Sequence, residues 1–210
     1  MELQVGASVI HIGKMAAPIP WTELEGPCQT SFLWPKAAEE LRPHVYHLIV
    51  VASGKKAKIE LARLLTQVIA AILGTCDAAI GVYWGSASLV IPSKIFREFA
   101  IEVLPSGPPI QIWVDFRVGK NNMGGSIGFT HGLDDFELME LETENALESP
   151  IELRDRLWSL STYLLENGPV IGNGHSVGRD AKERIRVVYS PSVFGNKNQV
   201  MRLDYTSIHK

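Results

Sequence analysis

The sequence predicts an α+β fold: an antiparallel sheet built on ferredoxin-like split βαβ units, with the helices packed on one face. Three observations lead there. Residues 45–52, Val-Tyr-His-Leu-Ile-Val-Val-Ala, form an uninterrupted β-prone run. Residues 56–73 then carry a broad apolar stripe at helical spacing. From 45 to 118 the order reads β, α, β, short β, α, β, close to the split unit.

In chain order, 5–12 alternates apolar with small or polar residues and reads as a strand. It runs into Ala17-Pro18-Ile19-Pro20-Trp21, where two prolines forbid ladder pairing. A rigid connector packing its tryptophan suits that stretch better than a polyproline ligand, because it lies inside a folded pattern. The 45–52 run is of the kind buried on both faces of a sheet. Ser53-Gly54 turns it into the 56–73 helix, which stops at Gly74. Short strands follow at 79–84 and 89–91. A helix opened by Pro92-Ser93 runs to Leu104, and the breaker Pro105-Ser106-Gly107-Pro108-Pro109 precedes a strand at 110–118. Beyond it come a strand or hairpin over 126–141, a helix over 151–166, and late strands at 184–189 and 199–205. Ser149 is placed to cap that helix, Pro150 suits its first position and Glu152 its first turn. No Pro/Gly-rich breaker is long enough to be a linker. One compact α+β unit over 1–210 is therefore expected, with about 1–118 and 119–210 as related halves if the second degenerately copies the first; no sequence repeat proves that.

With 46% hydrophobic and 20% charged residues, the chain has the profile of an ordered globular protein able to bury a core. A net charge of -3 gives no footprint for nucleic acid, and Lys55, Lys56 and Lys58 read as solvated surface. Cys28 and Cys76 belong to no metal-binding spacing, which fits a reducing compartment. The start lacks a basic and then apolar signal pattern, and the apolar run 61–73 is too short to span a bilayer and contains Arg63 and Gln67. A cytoplasmic protein with no membrane partner and no cofactor is expected.

Three constellations could carry chemistry. His44 and His47 are three apart at a strand start, so their side chains point to opposite faces and share no metal. Gly172-Asn173-Gly174-His175-Ser176-Val177-Gly178 has the glycines of a phosphate cradle, but a helix precedes it and strands follow, the reverse of what a dinucleotide site needs. His131 with Asp134 and Asp135 could form a general base, but no nucleophile or metal-binding motif accompanies it. No catalytic residue is assigned and no metal site is expected, so the balance is against an enzyme.

The stretch 134–148 holds seven acids and no Lys or Arg. With Phe136, Leu138 and Leu141 inward, a bulged strand would turn Glu137, Glu140 and Glu142 to solvent. Such a face either steers a basic partner or discourages edge-to-edge aggregation. The expected partner-binding residues are Asp134, Asp135, Glu137, Met139, Glu140 and Glu142, with Trp21, Trp34, Phe136 and Met139 as anchors if exposed.

The chain resembles a bacterial family of uncharacterised proteins, domain of unknown function family 4261. The resemblance rests on Ala17-Pro18-Ile19-Pro20-Trp21 with Leu33-Trp34-Pro35, on 44–50, on Gly81-Val82-Tyr83-Trp84, on 130–138, and on Tyr163-Leu164-Leu165 through the 172–178 loop. The family pattern favours Gly at Asp135 and Asp at Asn173 or His175, so carboxylate chemistry at the later loop does not carry over. The resemblance implies an α+β protein and transfers no catalytic residue.

Two functions follow as expectations. The first is a non-catalytic binding protein, most concretely an immunity protein that occludes the active site of a secretion-system-delivered bacterial toxin with a basic surface. The alternative is an enzyme or small-ligand protein with a pocket near His131 and His175.

Overall fold

A computed structural model describes residues 1–180 and 182–207. The fold is α+β, and the chain divides into two units, Met1–Trp113 and Val114–Lys210.

In the first unit the expected strand at 5–12 is instead a hairpin. Gly6, at φ 60°, turns β1 (Glu2–Val5) into β2 (Ser8–Met15). The two prolines end pairing as anticipated, and α1 (Trp21–Thr30) and α2 (Ala37–Leu41) follow. β3 (His47–Gly54) pairs antiparallel with β2 and completes a three-stranded sheet in the order β1-β2-β3. α3 (Lys58–Thr75) packs beside β3. A two-stranded ladder of β4 (Gly81–Trp84) and β5 (Leu89–Pro92) leads into α4 (Ser93–Glu98), which ends in a wider π turn.

Two cores hold this unit. Leu24, Cys28, Trp34, Ala37 and Val90 form one. A Cβ on Gly81 would lie 2.4 Å from the Trp34 ring, so only glycine lets β4 approach it. In the other, Trp84 lies between Phe96 and Trp113, with ring centroids 6.3 and 6.5 Å away. The Trp113 indole N–H donates to Thr66 Oγ1 at 2.8 Å, which satisfies a polar group that burial would otherwise penalise.

Three sequence expectations change here. The 45–52 run is not buried on both faces: β3 is an edge strand, with Leu48, Ile49 and Val51 exposed. The expected strand at 110–118 begins as a 3-10 turn, Ile110–Ile112, because Pro108-Pro109 sets the chain direction into it. The strands between 45 and 118 also form no split βαβ sheet. β3 joins β2, β4 and β5 pair with each other, and the last strand belongs to the second unit.

That unit is a six-stranded sheet in the order β6-β7-β8-β11-β10-β9, from β6 (Asp115–Lys120), β7 (Ser126–His131), β8 (Leu141–Ala146), β9 (Ser176–Val177), β10 (Ile185–Pro191) and β11 (Gln199–Asp204). Neighbours are antiparallel except β8 and β11. α5 (Pro150–Asn167) crosses one face. Its start is as read from the sequence: the Ser149 side chain accepts from the Glu152 N–H while Glu152 accepts from the Ser149 N–H.

β7 alternates buried Ser126, Gly128 and Thr130 with half-buried residues, so every second side chain meets the helix. A Cβ on Gly128 would come within 2.9 Å of Leu153 and 3.1 Å of Leu157. Inward-facing Leu153, Leu157 and Leu164 are fully buried.

Among these apolar residues α5 also buries Arg156. Its guanidinium donates to the Glu148 carboxylate beyond β8 and, at 2.6 Å, to Glu183. Glu148 also accepts from the Tyr205 hydroxyl at 2.5 Å, and burial together with that bond holds the phenol well above its ordinary pKa. Glu183 in turn accepts from the Arg179 N–H at 2.6 Å. One cation thus ties the helix, the end of β8, the segment before β10 and the turn after β11.

Replacing Arg156 with Ala leaves two carboxylates without their shared cation and is expected to cost about 3–5 kcal/mol in urea unfolding; less than about 1 kcal/mol would contradict the clamp. Gly128→Val should cost about 2 kcal/mol through overpacking against α5, read the same way, and an unchanged midpoint would show that the helix can retreat.

Candidate partner-binding site

The acidic stretch does not form one face. Leu133 leads into a 3-10 turn at Asp134–Phe136, and Glu137 follows at φ 62°. Asp134, Asp135 and Glu137 are exposed, while Phe136 and Met139 are half-buried.

Glu140 and Glu142, expected to face solvent, are each only 2% exposed. Glu140 turns inward because a tight turn presents it with unpaired donors. Its Oε1 accepts the N–H groups of Gly132 and Leu133 at 2.6 and 2.8 Å, and more weakly that of Asp134 at 3.3 Å. Its Oε2 accepts from the Thr130 hydroxyl at 2.6 Å. Glu142 does the same for the β10–β11 loop, accepting from the Ser192 hydroxyl and, at 3.0 Å, from the Val193 N–H. Glu140 is therefore removed from the surface that a partner can touch, and Glu142 reaches it only as part of the lining of a cleft. The exposed acids of the stretch keep the turn geometry that Glu140 imposes.

Between the two clamped loops lies a cleft of about 380 Å³, whose lining includes Phe129, His131, Asp134, Phe194, Asn196 and Lys197. Phe129 and Phe194 stack at its wall, centroids 4.9 Å apart. His131 faces Asp115 across the β6–β7 ladder, but the Asp115 carboxylate already accepts from Arg117 Nε at 2.7 Å. The hydroxyl of Thr130 is committed to Glu140 and to the Leu141 N–H, so it offers no free nucleophile.

His175 is not in this cleft. Its Nδ1 accepts from the Gly172 N–H at 3.0 Å and holds the turn, while Asn173 accepts from the Tyr189 N–H. Four strand spacings of ~4.8 Å separate β7 from β9, so about 19 Å of sheet lies between the strands next to the two histidines. The shared His131–His175 pocket is thus corrected to a cleft holding His131 alone.

His44 and His47 are structural as well. His44 Nε2 accepts from the Ile19 N–H at 2.7 Å, and a ring nitrogen of His47 lies 2.9 Å from the Ala17 carbonyl oxygen, so both latch the proline connector. Of the expected anchors, Trp34 is buried, with its indole N–H on Glu40, and Trp21 is half-buried under the Arg42 guanidinium at 4.3 Å. Among the described residues, no group of three or more His, Cys, Asp or Glu could hold a metal ion.

A surface that the sequence reading missed lies on α5. Asp155, Trp158, Ser159, Thr162, Tyr163 and Glu166 line a groove of about 630 Å³. Trp158 is 37% and Tyr163 48% exposed. Thr162 Oγ1 is sheltered there without a hydrogen-bond partner among the described residues. The signal was present as i, i+3, i+4 spacing from 155 to 166, but aromatic residues at helical spacing suit a core-facing stripe as well as an exposed one.

The second unit is therefore an α+β domain in which one helix backs a six-stranded sheet, with a groove on the helix and a cleft between the clamped loops. Residues 129–204 match the model of the family described as Domain of unknown function (DUF4261). No curated protein and no solved structure matches the chain.

Burial pushes the Glu140 carboxyl above its ordinary value of 4.5, against the opposing bonds from Thr130, Gly132 and Asp134. The folded chain then holds this proton more tightly than the unfolded chain does. Its contribution to stability is complete below 4.5 and is lost as pH rises through the raised folded value. As pH rises above 4.5 the wild type should lose stability relative to Glu140→Gln, measured by thermal unfolding; parallel pH profiles would contradict this.

Proposed function

We propose that this protein is a non-catalytic protein-binding module, most concretely a cytoplasmic immunity protein that occludes the active site of a bacterial toxin with a basic surface. The observation that carries the reading is the outward stripe of α5. Two exposed aromatic side chains stand between Asp155 and Glu166 on one helix face. Interface energy concentrates in a few tryptophan, tyrosine and arginine side chains, and a rigid helix presents them with little ordering cost.

Charge supports a basic partner. Residues 114–210 hold fourteen acids against eleven Lys and Arg, whereas residues 1–113 hold nine of each. The negative excess of the chain therefore belongs to the unit that carries the stripe. Asp134, Asp135 and Glu137 add exposed charge to the same unit and would act on association rate rather than on the final contact. Among the described residues, no helix is long and apolar enough to cross a membrane.

The test is co-purification at native abundance, with bound proteins identified by mass spectrometry. A stoichiometric basic partner is expected, and Trp158→Ala with Tyr163→Ala should lower its recovery by at least about tenfold without changing the melting temperature. Undiminished recovery in that double variant would remove α5 from the account. Recovery of a small molecule in the absence of any protein would favour the cleft at His131.

A further inference from the structure

We propose that β3 is a dimerisation edge, pairing antiparallel with the β3 of a second copy across a two-fold axis at Val50. Among the described residues β3 pairs with β2 alone, so its other side offers a row of unpaired N–H and C=O groups. Eight residues, His-Leu-Ile-Val-Val-Ala-Ser-Gly, form this edge, and none of them is charged or proline. Proteins that keep an edge unpaired shorten it, charge it or place proline in it. The opposite edge of the same sheet does so: β1 has four residues and carries Glu2. The contrast singles out β3.

The occupant follows from self-complementarity. A two-fold axis at Val50 sets Ile49 against Val51 of the second copy and Val51 against its Ile49, and it sets Leu48 against Ala52 and His47 against Ser53. Ile49 and Val51 are 46% and 47% exposed and lie on one face. Each therefore gains an apolar cross-strand neighbour, and no like charges meet.

Val45, Tyr46, Leu48, Ile49 and Val51 are all exposed at or beside this edge, so apolar side chains on both faces of the strand are open to cross-strand neighbours from a second copy. Pairing would extend the three-stranded sheet to six strands with no change within either copy. The inference is independent of the α5 reading, since it uses only the first unit.

The full-length protein should sediment as a concentration-dependent dimer in analytical ultracentrifugation. Ile49→Lys with Val51→Lys should make it monomeric at ~100 µM with a melting temperature independent of concentration, while its far-ultraviolet circular dichroism stays unchanged. Register is tested by oxidative cross-linking in a Cys76→Ser background, Cys28 being buried. Val50→Cys should form a disulfide-linked dimer, because facing Cα atoms lie ~5 Å apart. Val51→Cys should not, because its own copy would lie ~8 Å away. A wild-type monomer at all concentrations, a dimer that survives both lysines, a ladder of larger species, or cross-linking at 51 and not at 50 would each overturn the proposal.

Discussion

The ionic clamp at Arg156 is the constraint on which the second unit depends. A guanidinium that is 5% exposed is tolerable only because two carboxylates meet it, and those carboxylates come from segments far apart in the sequence. The clamp orients α5. Arg156 sits on the same face as Leu153, Leu157 and Leu164, so fixing it against Glu148 and Glu183 turns Asp155, Trp158, Tyr163 and Glu166 outward. Gly128 sets how closely the helix approaches the sheet, and the clamp sets its rotation. The outward groove on α5 is therefore rigid as a consequence of how the core is closed.

The same physics governs the acid-rich stretch. Unpaired like charges on a surface repel one another, but a carboxylate supplied with several donors can be turned inside and used as a brace. Glu140 and Glu142 do this for the loops on either side of the cleft. Asp134, Asp135 and Glu137 remain outside as a short, well-held acidic turn. Stability and surface charge thus draw on different members of one acidic run, and the energetic cost of crowding seven acids together is reduced by burying two of them.

The fold class was legible because periodicity and caps are local. The Ser149-Pro150 start of α5, the stop near Gly74 and the strands β7, β10 and β11 follow from residues a few positions apart. What failed was long-range. An apolar run such as 45–52 reads as buried on both faces, and only the sheet order reveals an uncovered edge. The inward turn of Glu140 depends on where the N–H groups of Gly132 and Leu133 point, which no alternation of residue types encodes. His131 and His175 look equivalent as glycine-flanked histidines, yet the strand order places them toward opposite sides of the sheet. The aromatic stripe on α5 had the spacing to be found, but a helix with apolar residues on most sides does not state which side its neighbours leave open.

The measurement that tests the central claim most directly is site-specific photo-cross-linking in cells, with a benzophenone side chain placed at Ser159 on the outer face of α5 and, for comparison, at Lys36 in the first unit. The account predicts one discrete protein adduct at Ser159 and none at Lys36. Absence of any adduct at Ser159, or the same set of adducts from both positions, would contradict a partner site on α5.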